Sequence, residues 1–177
     1  MQRLAGSVSR AALIRREPRT LATPHPARSP PGVSVGRVVT IGPVRADDPM
    51  LGELLARASA PHAASDLAAK GLSPRSWLVG AYDGEALVGM AWARTEWSYE
   101  PEMVCVVQQV LVDPARRREG IGTSLVRAVL AEGRRRGACR AVLLMHPPGS
   151  REAHLAFYGT LGFAPDDEHP GAMGRSL

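Results

Sequence analysis

No run of the 177-residue sequence approaches the ~20 consecutive apolar residues that a membrane-crossing helix needs. A membrane is therefore not among the expected partners. Cysteine is scarce: Cys105 and Cys139 form no Cys-x-x-Cys and have no neighbouring histidine pair, which excludes a zinc site or a disulfide framework. No metal is expected. Both cysteines lie in apolar stretches, so the sequence predicts two buried thiols and a reducing, cytoplasmic setting. Acidic residues are nearly missing from residues 1–36, where Arg3, Arg10, Arg15, Arg16, Arg19 and Arg28 face Glu17 alone. No internal repeat is present.

The basic character of the chain has one source. From Arg37 onward sixteen basic residues balance sixteen acidic ones, so the formal excess of +5 belongs to the N-terminal segment. That segment also holds Pro18, Pro24, Pro26, Pro30 and Pro31 and only scattered large apolar residues. Such a composition cannot bury enough surface to offset the entropy of ordering, so residues 1–36 are expected to be a disordered tail. An arginine-rich, acid-poor N-terminus resembles an organelle transit peptide; a flexible extension, or untranslated sequence ahead of a downstream start, fits equally. No aromatic residue accompanies these arginines to stack on bases, so nucleic acid is not the expected partner.

Residues 37–177 read as one domain. Val38 to Ile41 suits a short strand. Asp48-Pro49 is a helix start, a capping acceptor followed by a residue that needs no amide hydrogen. Leu51, Leu54, Leu55 and Ala58 continue it at helical spacing to about Ser59. Ala63 to Lys70 predicts a second, short helix. Trp77–Tyr82 and Ala86–Trp92 form a hairpin across Asp83-Gly84. Thr95 to Glu102 reads as a polar and aromatic loop. Met103–Val112 is apolar on both faces and is expected to be a central strand covered on both sides. A helix over 120–136, a strand over 141–145, a helix over 151–161 and a last strand over 172–177 complete the pattern. Strands first, then β-α-β-α-β, predict an α/β (α+β) fold, a mixed sheet with helices on both faces.

Between the central strand and the 120–136 helix lies Asp113-Pro114-Ala115-Arg116-Arg117-Arg118-Glu119-Gly120-Ile121-Gly122. Glycines admit close approach of a backbone to a ligand, and a helix N-terminus offers unpaired amides with partial positive charge. Together they make a cradle for a phosphate or pyrophosphate. A dinucleotide fingerprint would need a third glycine where Leu125 stands, and a P-loop would need Gly-Lys-Ser/Thr, which the chain does not contain.

Arg117-Arg118-Glu119-Gly120-Ile121-Gly122, with Phe157-Tyr158-Gly159-Thr160-Leu161-Gly162-Phe163 one helix and one strand later, resembles the signatures of the GNAT acetyltransferase superfamily. The resemblance covers roughly residues 37 to 177. It implies a central twisted mixed β-sheet of about six to seven strands, and acetyl transfer from acetyl-CoA to a primary amine by direct attack in a ternary complex. It further implies that the central strand splays from its neighbour and admits the pantetheine arm of coenzyme A.

Roles follow from the resemblance and from chemistry together. The amides of Arg118, Glu119, Gly120, Ile121 and Gly122 would hold the pyrophosphate, Thr123 and Ser124 would add hydroxyls, and Arg116, Arg117 or Arg118 would reach a phosphate. Val110, Leu111 and Val112 would line the pantetheine arm and fix the thioester near Gln108 and Gln109. Tyr158, with a reference pKa of ~10, would protonate the departing thiolate, while Phe157 and Phe163 belong to the core.

The base is less clearly marked. Some family members use a glutamate in the central strand, but Met103–Val112 contains no acid, and Val106 stands at the matching position. A water held by Gln108 or Gln109, His146 beyond the next strand, and Glu100 or Glu102 are the alternatives. A family asparagine ahead of the tyrosine helix is replaced by Arg151. The acceptor, a small molecule or a peptide amine, should lie between the early helices and the Thr95–Glu102 loop. There Glu96, Glu100 and Glu102 with Trp97 and Tyr99 would suit a cationic amine, though a solvated acidic loop explains them as well. The lack of a strand acid also keeps a non-catalytic acyl-CoA-binding regulatory domain in view. Oligomeric state is open, a homodimer included.

Overall fold

The computed structural model describes residues 39–60, 63, 67, 72–98, 102–144, 151–166 and 171–177. The expected tail over residues 1–36, His146, Tyr99 and Glu100 lie outside these residues. In chain order the elements are β1 (Thr40–Pro43), α1 (Pro49–Arg57), β2 (Ser76–Asp83), β3 (Ala86–Trp97) and β4 (Met103–Val112). Then follow a 3-10 turn (Pro114–Arg116), α2 (Ile121–Arg135), β5 (Arg140–Leu144), α3 (Arg151–Gly159), β6 (Ala164–Pro165) and β7 (Ala172–Ser176). Ala63 and Leu67 of the expected second helix are helical and buried.

The described strands make one seven-stranded mixed sheet in the order β1-β2-β3-β4-β5-β7-β6, with β4 in the middle. The β4–β5 pair is parallel, and the other described pairs are antiparallel. A parallel pair needs a long crossover, which α2 supplies. Alternation sorts the two faces. On one, Leu125, Val126 and Val129 of α2 pack on Ala91, Ala93, Cys105, Val107, Ala141 and Leu143, and Leu155, Phe157 and Tyr158 of α3 lie against the same cluster. On the other, Leu51, Leu54 and Leu55 of α1 pack on Leu78, Leu87, Met90 and Trp92. Asp48 caps α1 as expected, accepting from the Met50 amide at 2.9 Å.

Three expectations are corrected. Thr95 to Trp97 continue β3 rather than opening a loop, because Met103 to Cys105 of β4 lie opposite and supply their pairing. Cys139 is exposed while Cys105 is buried: the apolar neighbours of Cys139 in sequence are not around it in space, since it sits on the turn between α2 and β5. The two-residue β6 was not expected at all; it exists by pairing Ala164 and Pro165 with Gly174 and Met173.

The helix over β4 comes very close. A Cβ placed on Gly133 of α2 would stand 2.8 Å from both Cβ and Sγ of Cys105. Gly133→Val is therefore expected to overpack this contact and lower the unfolding free energy by about 1–3 kcal/mol. The loss should read as a lower denaturant midpoint at constant m; an unmoved midpoint would show that the helix can shift freely.

Candidate active site

β4 does not run evenly beside its neighbours. Trp92 lies opposite Gln109 but Ala93 opposite Val107, so Gln108 is an extra residue, a β-bulge. The pairing of β4 with β5 runs from Val104↔Arg140 to Val107↔Leu143 and stops there. Among the described residues nothing pairs with the β5 side of β4 from Gln108 to Val112. The Asp113 amide donates to Val88 O at 2.9 Å. By the alternation of an antiparallel ladder, Leu111 and Gln109 then also bond toward β3, whereas the main chains of Val110 and Val112 face the open edge. Arg117 Nε reaches Val112 O at 3.5 Å, which fits a carbonyl turned that way.

This assigns the expected strand residues. Val110 and Val112 present main-chain groups to the groove and side chains to the α2 core. Leu111 is corrected: its main chain is committed to β3 and its side chain packs with the α1 cluster, behind the groove. Gln108 is half-buried, and its Oε1 is buried without a hydrogen-bond partner among the described residues.

The open edge leads to the loop and to α2. Asp113 folds the turn by accepting from the Ala115 amide at 3.0 Å, and Arg57 of α1 binds its other oxygen at 2.8 Å. These contacts, the Ala115 amide foremost, hold the Asp113 carboxyl below the usual carboxylate range. Arg116 is turned away from the groove, tied to Asp83 at 2.6 Å and to Glu119 at 2.8 Å. It braces the loop against the β2–β3 hairpin, with its guanidinium engaged by two carboxylates. Glu119 presents its carboxylate to that brace, so its main chain is what it can offer a ligand. Arg117 and Arg118 are exposed.

Arg118 adopts φ 70° and Gly120 φ 78°. Left-handed residues in such a turn point successive amides to one side. Gly120 precedes α2 with no side-chain cap, so the amides of Ile121, Gly122 and Thr123 face outward without helical acceptors. Ser124 is a partial correction, because its amide and hydroxyl both donate to Gly120 O, at 3.1 and 3.3 Å. Gly122 serves packing as well as approach: a Cβ there would stand 3.3 Å from the Phe157 ring. That contact brings α3 onto the mouth of the groove.

Tyr158 follows on α3. Its ring meets Phe157 edge-on at 4.9 Å and Phe163 at 5.7 Å between centroids, with His154 at 6.3 Å. Phe163 is buried as expected, and Phe157 is half-buried. Burial pushes the Tyr158 phenol up to about 12.

On the α1 face, beside the bulge, lies a cavity of about 330 Å³. Val104 and Val106 of β4 and Val142 of β5 form its floor, and Glu96, Trp97 and Ser98 stand at one wall. The other described lining residues lie on β3 (Arg94), on β5 (Arg140, Leu144), just after β6 (Asp166) and on β7 (Ala172). Sequence reasoning missed Arg94, Arg140, Leu144 and Asp166 here. Alternation along β3 and β5 was the available signal, since Arg94 and Glu96, like Arg140, Val142 and Leu144, share a face. Glu102 is exposed.

An unpaired strand edge that runs from a bulge into an uncapped helix N-terminus, on a central mixed sheet, is the architecture of an acyl-coenzyme A-dependent N-acyltransferase. Residues 50–163 match the profile described as the acetyltransferase (GNAT) family, and the chain belongs to that family. No curated protein matches it. Among solved structures it is similar to a transcriptional regulator from Bacillus halodurans C-125, with 23% identity, TM-score 0.60, and 76% of this chain and 97% of that one covered. It is also similar to PaiA N-acetyltransferase from Thermoplasma acidophilum in complex with coenzyme A (14% identity, TM-score 0.61, 79% and 99% covered). A third is Arabidopsis thaliana Naa50 in complex with the bisubstrate analogue CoA-Ac-MVNAL (21%, TM-score 0.56, 78% and 99%). At these identities the likeness is one of fold. The family's cofactor is acetyl-CoA, and the open β4 edge and outward α2 amides fit such a group.

The phenol gives a direct check. Its pKa is raised on folding from the unfolded value of ~10, so Tyr158 keeps its proton in the folded chain up to about pH 12. Its contribution to stability is intact below the unfolded pKa and is lost as pH rises through the folded one. Comparing ultraviolet titrations of the wild type and Tyr158→Phe should show one tyrosinate transition, centred near pH 12, missing from the variant. A missing transition near pH 10 would contradict the burial argument.

Proposed function

We propose that this chain transfers acetyl from acetyl-CoA to a primary amine, by direct attack of the amine in a ternary complex. The observation that carries the reading is continuity: the main chains of Val110 and Val112, which no described strand pairs on that side, lead along β4 to the outward amides of Ile121, Gly122 and Thr123. The amides from Arg118 to Thr123 take the pyrophosphate, with Gly120 permitting the turn, and Arg117 and Arg118 add guanidinium donors. Val110 and Val112 bond the pantetheine amides. Bound there, acetyl-CoA supplies a thioester at which an N–C bond forms as the C–S bond breaks.

The remaining chemistry falls to the chain. Tyr158 holds a proton on Oη throughout the working pH range and releases it to the leaving group. With no acid on β4, the proton lost by the amine passes to water, which Gln108 positions through its unpartnered Oε1. The aromatic packing of Tyr158 against Phe157 and Phe163 fixes the phenol and excludes bulk water around it.

Gly120→Glu combines a strained backbone with an anion in the cradle, and is expected to abolish acetyl-CoA binding in calorimetry while the circular dichroism spectrum is retained. Tyr158→Phe is expected to lower kcat by about 10²-fold or more, the scale of general acid catalysis, with acetyl-CoA affinity within twofold. Unchanged turnover would remove Tyr158 from the mechanism. The strand without an acid favours a second reading, a non-catalytic acyl-CoA-binding domain. Tight acetyl-CoA binding without CoA release across a broad amine panel would select it.

A further inference from the structure

The cavity beside the bulge has a charge pattern that bears on the acceptor. The sheet register arranges its floor in rows. Arg94 lies opposite Val106, which lies beside Val142; Glu96 lies opposite Val104, which lies beside Arg140. Among the described lining residues the charged ones are two arginines and two carboxylates. They are closed into pairs. Arg94 places Nη2 at 2.6 Å and Nε at 2.8 Å from Glu96 Oε2. Arg140 Nη2 stands 2.8 Å from Asp166 Oδ2, whose side chain is only 3% exposed. Neither Glu96 nor Asp166 is a bare anion awaiting an ammonium, and neither arginine is a bare cation awaiting a carboxylate.

What is left unsatisfied there is apolar. Valines make the floor, and the two exposed large hydrophobic side chains among the described residues, Trp97 at 58% and Leu144 at 65%, both line this cavity. Exposed apolar surface gathered at one concave site is the mark of a ligand groove. At ~30 Å³ for each water-sized unit, the 330 Å³ cavity takes a body of about ten heavy atoms. The row of Arg94 and Val106 lies one pleat repeat, about 6.7 Å, from the row of Trp92 and Gln109 at the bulge. An amine at the bulge can therefore lay its carbon skeleton along the valine floor.

We propose that the cavity selects a primary amine on an uncharged, apolar body, because its valine floor and its Trp97 and Leu144 walls offer hydrophobic contact while the charges of the described lining residues are taken up in the Arg94–Glu96 and Arg140–Asp166 pairs. This names the acceptor class for the transferase reading and rests on it. A second ammonium or a carboxylate on the acceptor would lose hydration against the valine floor and, among the described lining residues, meet only charges already paired. The sequence-level expectation of a cationic acceptor at Glu96 and Trp97 is replaced: Arg94 already neutralises Glu96.

Three acceptors of equal length test this with the full chain: hexylamine, 1,6-diaminohexane and 6-aminohexanoate. CoA release should give hexylamine a kcat/KM at least tenfold above the other two. A lead for either charged acceptor overturns the inference. Arg94→Gln exposes the Glu96 carboxylate, and Leu144→Asp places an anion at an exposed position that the fold tolerates. Each should shift the diamine-to-hexylamine ratio at least tenfold toward the diamine, mainly through KM, with acetyl-CoA affinity unchanged. No shift in either variant would show that these residues do not face the acceptor. Failure of the parent reading looks different: acetyl-CoA then binds, and none of the three amines releases CoA.

Discussion

A single extra residue in the central strand governs the rest of the structure. Ahead of Gln108, even-numbered residues of β4 bond toward β3, as Ser98 N to Glu102 O shows; beyond it, odd-numbered residues do, as Asp113 N to Val88 O shows. The bulge thus exchanges the roles of alternate residues. Val110 and Val112 turn their main chains outward just where β5 leaves the strand. Half-buried main-chain groups turned to a strand edge are ready to pair, so an edge without a described neighbour in the middle of a sheet suits a guest that can bond like a strand. The acyl-pantetheine arm proposed for this edge, with amides along an extended chain, has the chemistry of such a guest. The same discontinuity places the cavity of the α1 face next to the open edge of the strand.

The loop that follows is stiffened from three directions. Arg57 ties it to α1 through Asp113, Arg116 ties it to the β2–β3 hairpin through Asp83, and Asp113 folds its own turn. Arg118, a non-glycine at φ 70°, persists in a left-handed conformation that elsewhere costs roughly 1–3 kcal/mol. A cradle held in shape before the ligand arrives loses little freedom on binding, which favours affinity.

How far the sequence discloses this depends on the range of the interaction. Features set by near neighbours were legible: the Asp48-Pro49 start of α1, the Asp83-Gly84 hairpin, and β4 as an apolar strand at the bounds expected from its composition. The strand, glycine turn and helix around Gly120 and the helix that carries Tyr158 are legible because each is one contiguous pattern. The bulge was not, since it exists only in the register against β3. Nor could three adjacent arginines be told apart, because only the fold places Asp83 beside Arg116 and leaves Arg117 and Arg118 outside. Trp97 looks like loop in the sequence because its strand character comes from Met103 opposite. The cavity unites Arg94, Arg140 and Asp166 from three separate elements, which no local pattern announces.

The division of labour between the two faces of the sheet has a consequence for how this protein can change. The donor groove is written in one continuous segment, β4 through the first turn of α2. The cavity proposed for the acceptor lies on the opposite face and joins the first half of β4 (Val104, Val106) to residues of β3, β5, β7 and the end of β6. Positions that share no partner and stand farther apart than about 7–10 Å usually act additively. Substitutions at Leu144 or Arg94 can therefore accumulate without disturbing Gly120 or Val112. Specificity can drift in this scaffold while the chemistry stays put, and the sheet itself is the partition that keeps the two histories separate.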